Sequence, residues 1–506
     1  MGDVQIQRDV PVTTRDGAPI SINVFRPGGG APVPVIASMS PYGKDIHWPE
    51  RFPLYEVADQ SDHAVWETPD PDWWVDRGYA VVRADSRGTG RSPGRLDVFA
   101  RQDAEDFYDV IEWCGTQPWS TGKVASSGIS WYAMMGWRVA ALRPPHLAAL
   151  VAWEGLADFY RDWGRQGGIL ANGVTAGWWQ NQIAPQRNTD DYSDLLSQLR
   201  SRELVDDWYR ERTADLSQIT VPLLAASNWG SIHLHLRGAI EGWLGAASEH
   251  KWLVVHTGSH VGPYYSERGK QLQLRFLDRF LKEDRAAMDG VAPVQLAIRR
   301  GHEVVWRDEQ QWPPARAKWH RLHLNQTVLQ WDEPETGTCP FPAHFEFTAT
   351  ERLEITGPAN LRLWISHVRD DLDVFARLEQ YDANGERIPG IGPHGTSTPV
   401  PMAVGWLRAS HRKLDPQRSL RHRPWHAHDE IQPLEPGAPT LVEIEIWPTS
   451  ITLEPGQRLQ LQLRTDDRDL HPQLTHDDPA DRRSAAGGTV HFGNGNASHL
   501  LVPVIP

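Results

Sequence analysis

Cysteine is nearly absent from this sequence: Cys114 and Cys339 are the two cysteines among 506 residues. They lie far apart along the chain, so they fit neither a disulfide framework nor a cysteine-based metal site. The segment Met1 to Arg8 has no apolar run of the kind found in signal peptides. From these observations we expect a cytoplasmic location.

Long apolar runs and clusters of basic residues are absent as well. No apolar run approaches the roughly 20 residues that a membrane-spanning helix needs. The net charge is −14, and without a basic cluster this charge disfavours nucleic acid and anionic membranes as partners. The composition, 40% hydrophobic and 23% charged residues, is typical of a globular protein, and the length predicts two or three domains.

Metal ligands in a recognisable spacing are also lacking. His233 and His235 form an H-x-H pair, but no cluster of carboxylates or cysteines accompanies them in the sequence. We therefore expect no metal ion and no cofactor.

Helices and strands alternate through the first part of the chain, which predicts βαβ units and a parallel sheet. The predicted buried strands are residues 32–39, 79–84, 124–127, 147–153, 219–226 and 251–256. Residues 155–215 interrupt the alternation and are rich in tryptophan and glycine, which favours a helical insertion. After about residue 290 the apolar residues recur with period two, which is typical of an antiparallel β-sandwich.

The predicted architecture is therefore an α/β-hydrolase core with an inserted helical cap, followed by a carboxyl-terminal β-sandwich of jelly-roll type. The core is expected to comprise residues 1–154 and 216–290, the cap residues 155–215, and the sandwich residues 291–506. The sandwich could form part of a substrate pocket or an interface in a homo-oligomer, and the sequence leaves both open.

The segment Lys123 to Ala133 reads as a strand, a sharp turn at Gly128-Ile129-Ser130, and a helix. A serine at such a strand–turn–helix junction is exposed at the carboxyl edge of the sheet, as in a nucleophile elbow. The usual G-x-S-x-G pattern is incomplete, because Tyr132 stands where its last glycine is expected. The alternative is that Ser130 merely caps the helix.

A serine nucleophile needs a histidine base and two donors for the oxyanion. His260 lies in the loop after the last predicted core strand, where an α/β-hydrolase carries its histidine. The backbone N–H of Trp131, directly after Ser130, can supply one oxyanion donor. The second donor should come from the loop after the strand of residues 32–39, and Tyr42 lies there.

Four motifs together resemble the cocaine-esterase-type (CocE/NonD) hydrolases, whose superfamily also holds X-prolyl dipeptidyl aminopeptidases and α-amino-acid ester hydrolases. They are Ser40-Pro-Tyr-Gly-Lys44, Asp85-Ser-Arg-Gly-Thr-Gly-Arg-Ser92, Gly128-Ile-Ser-Trp131 and Gly258-Ser-His260. The resemblance covers the whole chain. It implies that Tyr42 donates its phenol to the oxyanion, and Asp85 and Arg87 look like a structural ion pair at a strand end.

The chain departs from that family at the triad acid. The family usually carries an aspartate after the strand that precedes the histidine strand, but here this position reads Asn228-Trp-Gly-Ser231. Glu154 directly follows the strand of residues 147–153 and is the preferred acid. Asp158 and Glu241 remain alternatives.

The sequence thus predicts a serine hydrolase that cleaves an ester or amide of a small acyl substrate through an acyl-enzyme. Trp163, Trp178 and Trp179 of the cap are expected to line the substrate pocket. One alternative is a peptidase of the X-prolyl dipeptidyl aminopeptidase type, which would need a carboxylate cluster to hold the substrate ammonium, drawn from Asp158, Asp162, Asp190 and Asp191. The other is a non-catalytic binding or assembly relative, suggested by the missing aspartate.

Overall fold

The computed structural model describes residues 4–51, 60–392, 395–484, 486–493 and 495–506. The strands up to residue 309 are β1 (Val4–Thr13), β2 (Pro19–Pro27), β3 (Val33–Ser40), β4 (Ala80–Asp85), β5 (Ser120–Ile129), β6 (Leu147–Trp153), β7 (Arg165–Gln166), β8 (Ile169–Leu170), β9 (Leu223–Asn228), β10 (Lys251–His256), β11 (Val294–Arg300) and β12 (Glu303–Glu309).

The central sheet has the order β1-β2-β4-β3-β5-β6-β9-β10-β11-β12. Strands β4 to β11 of this order run parallel, and antiparallel pairs close both edges. The parallel strands are almost fully buried, as expected for a sheet covered by helices on both faces. Their carboxyl ends therefore meet at one edge.

The α-helices are α1 (Trp48–Arg51), α2 (Pro71–Val75), α3 (Arg101–Gly115), α4 (Trp131–Ala141), α5 (Asn172–Trp178), α6 (Leu195–Ser201), α7 (Asp207–Arg212), α8 (Leu236–Gly245), α9 (Gly262–Tyr265) and α10 (Glu267–Leu281). Helices α5 to α7 lie in the predicted cap. That region also contains π-helical turns at Phe159–Gly164 and Trp179–Ile183 and the β7–β8 hairpin, so it is less regular than the predicted helical insertion. Among the described residues, no helix has both the length and the apolar character needed to cross a membrane.

The strands after residue 309 are β13 (Lys318–Asn325), β14 (Val328–Gln330), β15 (Gly337–Pro340), β16 (Ala343–Thr348), β17 (Leu353–Ser366), β18 (Asp373–Tyr381), β19 (Arg387–Ile388), β20 (Gly390–Gly392), β21 (Gly395–Val400), β22 (Ala403–Arg408), β23 (Thr440–Leu453), β24 (Arg458–Arg464), β25 (Thr489–Phe492) and β26 (His499–Ile505). Strand β17 pairs antiparallel with β23, β25 and β26, whereas β18 pairs antiparallel with β22 and β24. Their inward-facing leucines, isoleucines and valines form a separate hydrophobic core.

Strand β11 pairs in parallel with β10, through Leu253 opposite Val294, and touches the sandwich strand β23 at a single bridge. The central sheet therefore continues past residue 290, where the sequence placed the start of the sandwich. Period-two alternation in the sequence does not distinguish a strand of the central sheet from a strand of the sandwich, because side chains alternate between the two faces in both.

The cap hairpin is closely packed on the sandwich. Gly167, with φ +58°, lies against strand β22, and a Cβ there would sit 2.0 Å from the carbonyl oxygen of Trp406. Asp481 of the sandwich accepts from the buried Arg165 of this hairpin and from Arg408 at the end of β22, whose side chain is fully buried. Cap and sandwich are thus joined by backbone contact and by buried ion pairs.

The predicted ion pair between Asp85 and Arg87 is absent. Arg87 donates instead to Asp106 and Asp16, while the Asp85 carboxylate accepts the backbone N–H groups of Lys44 and Arg91. Both side chains have structural roles, but each binds other partners.

Candidate active site

Ser130 lies at the tip of the turn between β5 and α4. Its backbone has φ +56° and ψ −115°, a strained conformation for a residue other than glycine, and its N–H donates to the Trp153 carbonyl at 2.9 Å. The approach to the turn needs glycine, since a Cβ on Gly128 would lie 2.5 Å from the Cβ of Tyr132. This is the geometry of a nucleophile elbow.

Tyr42 follows β3 at the same edge of the sheet and is buried. The indole N–H of Trp178 donates to Tyr42 Oη at 2.9 Å, so the phenol oxygen is the acceptor in this contact and its own proton points elsewhere. Trp131 is the first residue of α4, and the first N–H groups of a helix have no acceptor within the helix. Both groups are therefore suited to donate to an oxyanion formed beside Ser130.

His260 lies between two carboxylates. Its Nδ1 is 2.9 Å from Glu154 Oε2, and its Nε2 is 2.8 Å from Glu67 Oε1. Ser130 Oγ makes no hydrogen bond to any residue that the structure describes. Catalytic serine–histidine contacts are often formed only when substrate is bound.

The Glu154 side chain is completely buried directly after β6. Its second oxygen, Oε1, accepts the side-chain N–H of Asn228 at 3.2 Å and lies 3.2 Å from His256 Nε2. Asn228 also donates to the Gly258 carbonyl at 3.0 Å and accepts the Gly230 N–H at 2.9 Å. The amide at the position where the family carries its aspartate thus holds both the carboxylate of Glu154 and the loop that carries His260.

The electrostatics of this cluster follow from burial and charge. Burial disfavours a charged His260, but the two carboxylates outweigh it and raise the pKa of the imidazole to about 10. Burial also disfavours a charged Glu154, yet His260 and His256 hold the pKa of Glu154 well below its usual range. Burial raises the pKa of Glu67 more than the hydrogen bond to His260 lowers it, so the pKa of Glu67 is raised.

Two further histidines face the site. The ring of His235 stacks on that of His260, with centroids 5.3 Å apart and an interplanar angle of 11°. Burial lowers the pKa of His235 well below its ordinary value and that of His233 to about 3, so both are neutral. Among the described residues no group of three or more histidine, cysteine or carboxylate side chains is arranged to hold a metal ion.

The three cap tryptophans named from the sequence take different places. Trp178 stacks on Trp131, with ring centroids 5.7 Å apart, and reaches Tyr42. Trp163 lies behind it, 4.9 Å from the Trp178 ring, and donates to Thr175. Trp179 stacks on the exposed Tyr192. Of the three, Trp178 is therefore the one in contact with Trp131 and Tyr42.

The alternative acids bind arginines. Asp158 caps the π-helical turn that follows it and pairs with Arg161, and Glu241 pairs with Arg423. Neither makes a hydrogen bond to His260 among the described contacts.

The four aspartates considered for an ammonium site are all paired with arginines. Each has its own arginine partner: Asp158 with Arg161, Asp162 with Arg237, Asp190 with Arg187, and Asp191 with Arg95.

Two residues of the site carried no signal in the sequence analysis. Glu67 lies in the polar and aromatic stretch between residues 47 and 72, which has no period, and its backbone has φ +64°. Phe99 also has a positive φ, of 59°, and its ring lies 4.3 Å from that of Trp131. Together with Trp131 and Trp178, Phe99 forms a buried aromatic cluster beside the site.

The fold and the site define a serine hydrolase of the α/β-hydrolase class. The model of the X-Pro dipeptidyl-peptidase (S15) family matches residues 16–262, and that of the X-Pro dipeptidyl-peptidase C-terminal non-catalytic domain matches residues 342–501. A crystal structure of a CocE/NonD family hydrolase from Staphylococcus aureus is 30% identical, with a TM-score of 0.93 over 100% of this chain and 97% of that chain. The chain belongs to the CocE/NonD hydrolase family and acts on ester or amide bonds.

More distant relatives agree with this assignment. The cocaine esterase of Rhodococcus sp. (strain MB1 Bresler) is 22% identical over 616 aligned residues, which cover 100% of this chain and 99% of that protein. A putative serine esterase of Mycobacterium bovis is 24% identical over 89% of both chains. The structure of an α-amino acid ester hydrolase is 16% identical with a TM-score of 0.73, and it shows the same fold.

Proposed function

We propose that this protein is an esterase for small acyl substrates with Ser130 as nucleophile, His260 as general base and Glu154 as the acid that orients His260. The observation that carries the proposal is the contact of 2.9 Å between Glu154 Oε2 and His260 Nδ1 at the sheet edge where Ser130 occupies its strained turn. A carboxylate on Nδ1 fixes the tautomer whose Nε2 can accept the proton of a serine.

The reaction would proceed through an acyl-enzyme. Ser130 Oγ attacks the substrate carbonyl while its proton passes to His260 Nε2. The Tyr42 phenol and the Trp131 N–H donate to the oxygen that becomes negative. The tetrahedral intermediate then collapses, His260 gives the proton to the leaving alcohol or amine, and water releases the acyl group by the same steps.

The pocket chemistry favours an ester with an apolar acyl or leaving group. The rings packed beside Ser130 are Trp131, Trp178 and Phe99, and Trp178, the one of the three that is not completely buried, can offer a face to an apolar group. The name of the Rhodococcus relative, a cocaine esterase, supports the same substrate class.

A dipeptidyl-peptidase activity is the second candidate, because the S15 family model matches the catalytic part of the chain. That activity needs carboxylates available to hold a substrate ammonium. Asp158 and Asp162, the two aspartates nearest to Glu154 in the sequence, form salt bridges with arginines. We therefore prefer an esterase activity.

The decisive experiment is labelling with a fluorophosphonate probe, followed by turnover of aryl esters and of X-Pro anilides. Wild-type protein should be labelled and should hydrolyse the esters. Ser130→Ala should lose labelling and at least a thousandfold of the turnover, since loss of a triad nucleophile typically costs about 10⁶ in rate. Turnover of X-Pro anilides would select the peptidase, and absence of labelling in the wild type would favour a non-catalytic relative.

Location and assembly belong to the same proposal. Both cysteines are free and buried, which supports the reducing environment of the cytoplasm. The sandwich is a candidate interface for a homo-oligomer. Cell fractionation and light scattering test these two statements.

A further inference from the structure

Glu67 is a second carboxylate on the proposed base, and the proposed triad gives it no role. Its Oε1 lies 2.8 Å from His260 Nε2, on the opposite side of the ring from Glu154. The Glu67 side chain is 4% exposed. Its other oxygen, Oε2, is buried as well, and a hydrogen-bonding contact with the Trp66 side chain acts to lower the pKa of this carboxyl group.

This contact has a chemical consequence. An imidazole that donates to a carboxylate from each nitrogen carries two protons and is an imidazolium. An imidazolium has no lone pair, so it cannot accept the Ser130 proton. When both carboxylates are ionised, the arrangement in the structure therefore holds the proposed base in the protonation state that does not catalyse.

A role for Glu67 on His260 rests on the proposed function. We propose that Glu67 is a second positioning residue for His260: it holds the Nε2 proton while the site is empty, and this proton must leave before Nε2 can take the proton of Ser130. In the step that follows, the Oγ–H bond of Ser130 breaks and the Nε2–H bond forms again, while Oγ bonds to the substrate carbonyl carbon and the π pair of that carbonyl moves onto its oxygen. The proton lost first goes to solvent.

The backbone around Glu67 is fixed to the elbow itself. The Glu67 carbonyl accepts the N–H of Ile129, the residue before Ser130, at 3.0 Å. The positive φ of Glu67 then directs its side chain toward His260. Because a substitution at the side chain leaves this backbone contact in place, the charge of Glu67 can be tested separately from its structural role.

The other groups that face the pair do not supply a competing charge. His235, stacked on His260, and His233 are neutral because burial lowers the pKa of each. Tyr265, which packs against the Glu67 loop and donates to the Thr68 carbonyl, is neutral because burial raises its pKa. His256 contacts Glu154 rather than the pair.

The charge state of His260 is therefore set by Glu154 and Glu67. The raised pKa of His260, about 10, agrees with the contact of each ring nitrogen with a carboxylate.

The test is the pH dependence of fluorophosphonate labelling and of kcat/KM for an aryl ester in Glu67→Gln. The amide keeps the shape and the acceptor oxygen but removes the charge, so the acidic limb of both profiles should move down by about one pH unit or more. Glu67→Asp keeps the charge, and its limb should stay within about half a unit of wild type. Glu241→Gln is the matched control, because Glu241 pairs with Arg423, and its limb should not move.

Two outcomes would overturn the proposal. An acidic limb of Glu67→Gln that coincides with that of wild type would leave Glu67 a structural role alone. A folded Glu67→Gln protein that is inactive at every pH would make Glu67 itself a catalytic group. The proposed function fails by a different result, namely labelling that survives in Ser130→Ala.

A second measurement needs no change at Glu67. In Ser130→Ala protein labelled with ¹⁵N at the histidine rings, one imidazolium signal should persist to about pH 8 and should disappear in Ser130→Ala/His260→Gln. A His260 ring that becomes neutral near its ordinary pKa would contradict the proposal even if the Glu67 variants fail to fold.

Discussion

Glu154→Gln is the substitution that tests the proposed acid most directly. The Glu154 carboxylate receives the His260 Nδ1–H at Oε2 and the Asn228 amide N–H at Oε1. Glutamine has a single oxygen for these two donors. Since the Asn228 amide can only donate at this position, the glutamine oxygen should face Asn228 and its NH₂ group should face His260 Nδ1.

The magnitude follows from this geometry. A His260 Nδ1 that must accept a hydrogen bond carries its proton on Nε2, which is the wrong tautomer for taking a proton from Ser130. The same tautomer error in a serine triad costs about 10⁴ in kcat, or about 5 kcal/mol of transition-state stabilisation. KM should change little, because Glu154 is fully buried and does not contact the pocket wall.

The assay is steady-state hydrolysis of an aryl ester, with thermal unfolding as a check of folding. Glu241→Gln, a matched change at the rejected alternative acid, should stay within about tenfold of wild type, as expected for a side chain outside the site. If folded Glu154→Gln keeps more than about a tenth of wild-type kcat, where about 10⁻⁴ is expected, Glu154 is not the orienting acid.

A double substitution extends this test to the neighbouring strand. The variant Glu154→Gln/Asn228→Asp restores a carboxylate at the position where related hydrolases carry their aspartate. Its kcat should be at least about tenfold higher than that of Glu154→Gln, because substitutions of side chains in contact are not additive. Asn228→Asp alone should lower kcat, since it places two carboxylates about 3.2 Å apart. A double variant no better than Glu154→Gln would show that the acid cannot be moved.

The remaining predictions concern the oxyanion and the seam between cap and sandwich. Tyr42→Phe should lower kcat by about 10²–10³ with KM unchanged. Trp178→Phe removes the donor to Tyr42 Oη and should lower kcat about tenfold. Trp179→Phe should have no effect on kcat. Asp481→Asn breaks a buried pair with Arg408 and should cost about 3–5 kcal/mol of unfolding free energy in urea. Burial works against the Asp481 charge, yet its arginine partners hold its pKa at about 2, so the wild type should lose this contribution as the pH falls from about 4 to about 2.

Much of the site could be predicted because parallel strands bring their carboxyl ends together. Ile129 lies opposite Trp153 in the register of β5 and β6, so the next residues, Ser130 and Glu154, lie at the same edge. Chain order alone indicated that a carboxylate after β6 was a candidate. That the Asn228 amide holds this carboxylate depends on contacts between side chains, which the sequence does not display.

Glu67 could not have been predicted by the same reasoning. Its stretch has no hydrophobic period, and its place depends on a positive φ and on the contact of its carbonyl with Ile129. Such a conformation in a residue other than glycine is set by tertiary contacts and leaves no local pattern.

The tryptophans show the limit of composition. The chain contains twenty-four of them, and two neighbours that were both expected at the pocket have different contacts: Trp178 donates to Tyr42, whereas Trp179 stacks on Tyr192 at the surface. Successive residues on a helix point about 100° apart, so the rotation of the cap helix on the core decides which ring reaches the site.

On the proposed assignment, the sheet order also accounts for the acid being a glutamate. His260 follows β10, and β9, the strand that ends at Asn228, separates β10 from β6. Neighbouring strands are about 4.8 Å apart, so an acid placed after β6 must reach across one more strand than an acid placed after β9. Glutamate supplies one additional methylene, and Asn228 fills the vacated position with a neutral donor that binds the far oxygen of Glu154. The substitution of the usual aspartate by asparagine and the presence of Glu154 are thus two parts of one rearrangement, which keeps a single carboxylate on His260 Nδ1.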